Sequence, residues 1–203
     1  MLSLSSSNAR SLTLPEQTGS ENLCKFRRNE HGHVVLTITG NDMTGAKELE
    51  ALKLKIPLDQ IYGNMLCCLA SNKEDSYDSK HRLDCGSKYN IVLIPGEQVG
   101  DGNHRSSEKV CDYAREFGYK IPLAGIIPRI RELVTDDQMK DMGFFYIAGL
   151  HQPITNAERL PCVLRAIRNC RNHQWLEFRI DRACDRWVGL GAFAFLSGPK
   201  PDI

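Results

Sequence analysis

No Cys-x-x-Cys pair occurs anywhere in this chain, although it holds eight cysteines, at 24, 67, 68, 85, 111, 162, 170 and 184. That spacing argues against a structural zinc site, and the adjacent Cys67 and Cys68 in an apolar helical pattern read as buried core thiols. No apolar run is long enough to span a bilayer. The first thirteen residues are Ser-rich and lack the unbroken apolar core of a signal peptide, so reduced thiols in a cytoplasmic or virion-associated protein are expected. A formal net charge of +1 argues against binding nucleic acid through overall charge. The loop between Gly96 and Gly102 has no Gly-Lys-Ser/Thr after it, which removes a phosphate cradle. Lysine is missing from 141–199, while seven arginines (159, 165, 168, 171, 179, 182 and 186) stand in the same stretch.

What is present fits an ordinary globular chain. At 203 residues, 41% hydrophobic and 25% charged, it is long enough for one sizeable core. Residues 1–30 are polar and rich in turn formers, so they read as an N-terminal extension. Residues 31–203 read as a single α/β (α+β) domain, with helices filling the middle and strands dominating the early chain and the C-terminal third. The β-branched run 33–40 predicts a strand ended by Gly40. Thr44 can cap a helix over 45–54 that Pro57 then stops, and the spacing of Leu58, Ile61, Met65 and Leu69 predicts a second. The charged, Ser/Asp-rich 71–87 predicts a loop in which His81 and Asp84 are solvated. The run 89–94 predicts a buried strand with a Pro-Gly turn behind it.

Further on, Ser107 can cap a helix whose apolar face is Val110, Tyr113, Ala114 and Phe117, with Gly118 as its stop. Pro128 belongs in a first turn, so the helix ending at Val134 starts late. Thr135 with Gln138 forms a capping box for a short helix ended at Gly143, and 144–150 predicts a strand. His31, His33, His104, His151 and His173 are too scattered to form a metal or catalytic set.

The C-terminal part mixes two textures. Trp175, Leu176, Trp187 and the alternating Gly191-Ala192-Phe193-Ala194-Phe195-Leu196 look like framework. Between them 179–186 follows neither a helical nor a strand period.

At this point residues carry a resemblance. Tyr113-Ala114, then Gly118-Tyr119-Lys120-Ile121-Pro122 and a second amphipathic helix resemble the two-helix segment of the formylglycine-generating-enzyme branch of the C-type lectin fold. The stretch from Trp175-Leu176 through Trp187 to Gly191–Phe195 is similar to the variable region of target proteins of diversity-generating retroelements. Together these cover roughly the last half of the chain. The resemblance implies a C-type lectin-like domain, with mixed short sheets and two main helices, and a variable region at about 163–191. There, copying errors at template adenines convert Asn-type codons into all residues but Lys, Met, Gln, Glu and Trp. Only Gln174, Trp175, Glu177 and Trp187 within 163–191 belong to that excluded set.

The function so implied is a ligand-binding display protein of receptor or attachment type, not an enzyme. Its expected partner is a protein or other macromolecule on a target cell, with no cofactor, no metal and no nucleic acid. The candidate contact residues are Arg165, Ile167, Arg168, Arg171, His173, Phe178, Arg179, Ile180, Arg182, Asp185, Arg186, Val188 and Leu190. Arginine offers a planar fork for carboxylates, and the apolar side chains offer anchors. Two other readings stand beside this one. A formylglycine-generating-like oxidase would need Cys170 or Cys184 for copper or oxidation, and an RNA-binding module would use the Arg/aromatic face. No Glu-Pro-Asn, Gln-Pro-Asp or Trp-Asn-Asp tripeptide occurs, and Gln152-Pro153-Ile154 lacks an acidic ligand, which removes the calcium-dependent sugar site of ordinary C-type lectins.

Overall fold

The computed structural model describes residues 26–54, 65, 68–70, 73–101, 105–156, 159–168 and 174–198. Among these residues the chain is mixed α and β, with one eight-stranded sheet and five helices. The strands are β1 Arg27–Arg28, β2 Val34–Thr39, β3 Lys88–Pro95, β4 Tyr146–Gly149, β5 Ile154–Thr155, β6 Pro161–Arg168, β7 Gln174–Ile180 and β8 Ala192–Leu196. The helices are α1 Gly45–Lys53, α2 Tyr77–Lys80, α3 Ser107–Glu116, α4 Ile126–Leu133 and α5 Asp136–Asp141.

The sheet runs β1-β2-β3-β8-β4-β6-β5, with β7 paired to β6 as well. Every pairing is antiparallel except β4 with β8. Here the structure differs from the expected set of short sheets. The last strand, β8, enters between β3 and β4 and hydrogen-bonds both, so the early and late strands fuse into one sheet. The sheet also begins at Arg27, which pairs with Val35, so the last residues of the segment read as an extension belong to the domain.

Period-two alternation sorts the side chains onto two buried faces. In β3, Ile91 and Leu93 join the core under α1, α4 and α5, while Val92 and Ile94 join a second core under α3. In β8, Ala192 and Ala194 face the first core, and Phe193 and Phe195 face the second. A sheet covered on both faces explains why these strands read as nearly continuous apolar runs.

Local signals set the helix ends. Thr44 accepts from the Lys47 N–H to cap α1, and Thr135 with Gln138 forms the full capping box of α5. Pro128 is the third residue of α4, within the first turn, where its missing N–H costs no helical bond. Gly118, at φ +71°, turns the chain after α3 in the left-handed region that a side chain resists.

Two expectations shift. The cap of α3 is Ser106, whose hydroxyl accepts from Lys109 N–H, which frees Ser107 for the contacts described below. Within 71–87, expected to be a loop, Tyr77 is fully buried and starts the short helix α2. The second helix expected over 58–69 lies largely outside the described residues; Met65, Cys68 and Leu69 are helical and buried.

Candidate ligand-binding face

The β6 and β7 hairpin places Arg165 directly opposite Glu177, and Val163 opposite Arg179, in the cross-strand register. Arg165 and Glu177 are both half-buried and joined by a short ion pair. The alternate positions of β7 point the other way: Leu176 is buried, and Phe178 and Ile180 pack against the core that includes α4. Ile167, at the end of β6, packs against the core under α3. Ile167, Phe178 and Ile180 therefore depart from the expectation that they stand free on a binding face. The strand period continues through Ile180, so Phe178 and Ile180 share the phase of Leu176, whereas Ile167 shares the phase of Val163 and Arg165 and packs on the opposite face of the sheet. Arg168 is also tied down, its Nε donating to Phe144 O at 3.3 Å.

Beyond Ile180 the chain leaves the sheet and returns to it at Ala192. This 181–191 segment is pinned from beneath by side chains outside it. Trp187, 2% exposed, sits in the core with Tyr146 and Phe193, its ring 5.5 Å from Phe193 at a near-perpendicular 83°. Its indole Nε1 donates to Ser107 Oγ at 3.0 Å, and Ser107 Oγ donates to Asp181 Oδ1 at 2.6 Å. Arg105, 5% exposed, donates through Nη1 to Trp187 O and accepts from Trp187 N–H at its own carbonyl. Its Nε and Nη2 bind the carbonyls of Val99 and Gly100, so the guanidinium rests on backbone dipoles of two loops.

Tyr146 completes the anchor by donating its hydroxyl to Val188 O at 2.7 Å. Burial pushes its phenol up to about 12 against the pull of the Arg165, Arg179 and Arg105 guanidiniums, so it stays a donor at neutral pH. Gly191 lets this ring pass: a Cβ there would lie 2.2 Å from Tyr146 Cζ. Arg179 covers the outer side of the anchor, its Cζ 4.5 Å from the Trp187 ring centroid and its Nη2 donating to Arg186 O at 3.0 Å.

What remains open to a partner is narrower than the sequence implied. Arg182 and Arg186 are exposed, Asp185 is half-buried, and Val188 and Leu190 are 60% and 70% exposed. Phe145, 43% exposed, joins them because its N–H donates to Leu190 O. The sequence reading missed it by treating 144–150 as strand alone. Arg105 and Ser107 were likewise missed as supports, since nothing in their neighbourhood signals a contact some eighty residues away. Arg171 and His173 lie outside the described residues, as does the side chain of Trp175.

The histidines also regroup. His81 and His151 are both buried, with ring centroids 5.2 Å apart, so His81 is not solvated. The His151 ring bonds Gln152 O through Nδ1 and accepts the Leu164 N–H at Nε2, while His81 Nδ1 accepts the Ala124 N–H. Burial lowers His81 to about 4 and His151 to about 3, so both are neutral pegs between loops. Cys184 is exposed, and Cys170 lies outside the described residues. Among the described residues no group of three or more His, Cys, Asp or Glu is placed to hold a metal ion, and no helix is long and apolar enough to cross a membrane. Comparison with family models, with curated proteins and with solved structures finds no match.

Proposed function

We propose that this chain is a non-enzymatic binding protein that presents its 181–190 loop to a macromolecular partner on a target cell. In this reading the domain is a C-type lectin-like fold of the formylglycine-generating type, and its C-terminal codons are the target of a diversity-generating retroelement. The observation that carries it is the division within one short segment. Trp187 and its backbone are locked by Arg105, Ser107 and Tyr146, while Arg182, Arg186, Val188 and Leu190 project into solvent. Side chains that contribute little to folding can vary at small cost, and a fixed base reduces the entropy lost on binding. Two arginines beside exposed Val188, Leu190 and Phe145 suit a protein surface that sets carboxylates next to apolar groups.

The test is genetic and then biochemical. The surrounding DNA should hold a reverse transcriptase and an adenine-rich near-copy of the codons for 163–191. Sequencing the locus across isolates should show variation at 182, 185, 186, 188 and 190 with Trp187 and 191–195 constant. Variation spread evenly, or absence of the near-copy, rejects the retroelement reading. A partner once captured should be lost on replacing Arg182, Arg186, Val188 and Leu190 together by Ser. Binding to single-stranded RNA that collapses with added salt would instead favour the nucleic-acid reading.

A further inference from the structure

At the other end of β8 from the display loop lies a cleft of about 410 Å³ that the proposed function does not use. Its floor is the cross-strand pair Val35 and Val92, and one wall is formed by Phe117 and Tyr119. These two rings lie nearly parallel, 21° apart with centroids at 5.6 Å. His31 and His33 stand against Phe117 at 4.7 and 5.0 Å, and Tyr113 at 5.1 Å, so five rings gather where α3 ends.

The rim is built in advance. Asn29 Oδ1 accepts from the His31 and His33 N–H groups, and Asn29 Nδ2 donates to the Tyr119 hydroxyl at 2.8 Å. The same hydroxyl lies 3.0 Å from His33 Nδ1, which fixes the Tyr119 ring from a second side. Glu30 is the only Asp, Glu, Lys or Arg among the described residues lining the cleft, and its Oε1 lies 3.6 Å from His31 Nε2.

We infer that this cleft binds a quaternary or methylated ammonium group. Ring faces present negative quadrupole density, and a carboxylate at the mouth adds charge of the same sign with no lysine or arginine among the described lining residues to oppose it. The apolar floor selects a methylated head. An unmodified ammonium is strongly hydrated and would lose its water shell against Val35 and Val92, whereas methyl groups pack there. A neutral apolar ligand would use the floor and wall but gain nothing from Glu30.

The experiment titrates the full chain with choline and with its neutral carbon isostere, 3,3-dimethylbutan-1-ol, following backbone amide shifts of Val35, Gly118, Tyr119 and Gly198. Choline should give saturable shifts at these positions, with the isostere about tenfold weaker, the size of a partly desolvated cation–π and charge contribution. Glu30→Gln, at a largely exposed side chain, should weaken choline about threefold and leave the melting temperature unchanged. Equal affinity for choline and isostere, unsaturable shifts, or a Glu30→Gln variant that binds choline as well as the parent would each overturn the assignment. So would adenosine displacing choline as the tighter ligand, which would mark the wall as a stacking platform.

Discussion

The arginines of the β6 and β7 hairpin and those of the loop that follows are the same residue type within some twenty positions, yet they do different physical work. Arg165, Arg168 and Arg179 are each engaged: one with Glu177 across the strand pair, one with the Phe144 carbonyl, one stacked over Trp187. Arg182 and Arg186 are exposed on a loop whose shape is set by groups beneath it, and the Arg186 guanidinium donates within that loop to the carbonyls of Ala183 and Asp185. The contrast shows that a cluster of one residue type is not one surface. Register and phase decide which members are tied into the scaffold and which stand on its exposed surface.

Substitutions and a change of pH sharpen this division. Trp187→Ala removes the central peg and should cost about 3–5 kcal/mol in denaturant unfolding, as large aromatic truncations in cores do. Next comes acid. In the unfolded chain His81 and His151 take up protons near 6.5, whereas burial delays this to about 4 and about 3 in the folded chain. Above pH 6.5 neither state gains protons there. As the pH falls from 6.5 toward 4 only the unfolded chain does, so stability declines, by on the order of 3 kcal/mol for each such histidine. Urea midpoints between pH 7 and 4 should show this decline, and His81→Gln should flatten it.

Arg179→Ala should cost about 1 kcal/mol by the same unfolding assay, because it uncovers the Trp187 ring and the Arg186 carbonyl. Smallest of all, Arg182→Ala and Arg186→Ala should each change stability by no more than about 0.5 kcal/mol.

Much of this architecture was legible wherever a signal is local. Thr44, the Thr135 and Gln138 box, Pro128 in its first turn, and Gly118 act through neighbours within four residues, and the structure places them as the sequence implied. The shift from Ser107 to Ser106 as cap shows the limit of that logic. Either serine can cap in isolation, and the distant Trp187 and Asp181 claim the second one. The pairing of His81 with His151 joins residues seventy positions apart and leaves no trace in either local pattern. Of the candidate contact residues, the exposed ones in the loop were readable as a break in periodicity. Phe178 and Ile180 were misread because β7 continues two residues past the point where its alternation is obvious, and Ile167 because its neighbours in the core come from other strands and α3.

The most direct measurement compares thermal melts of the parent chain with a variant carrying Arg182→Ser, Arg186→Ser, Val188→Ser and Leu190→Ser together. If the loop is a display surface on a self-sufficient scaffold, the variant melts within a few degrees of the parent and far above Trp187→Ala. A drop comparable to that of Trp187→Ala would mean the exposed side chains help hold the fold, and the division between scaffold and display would fail.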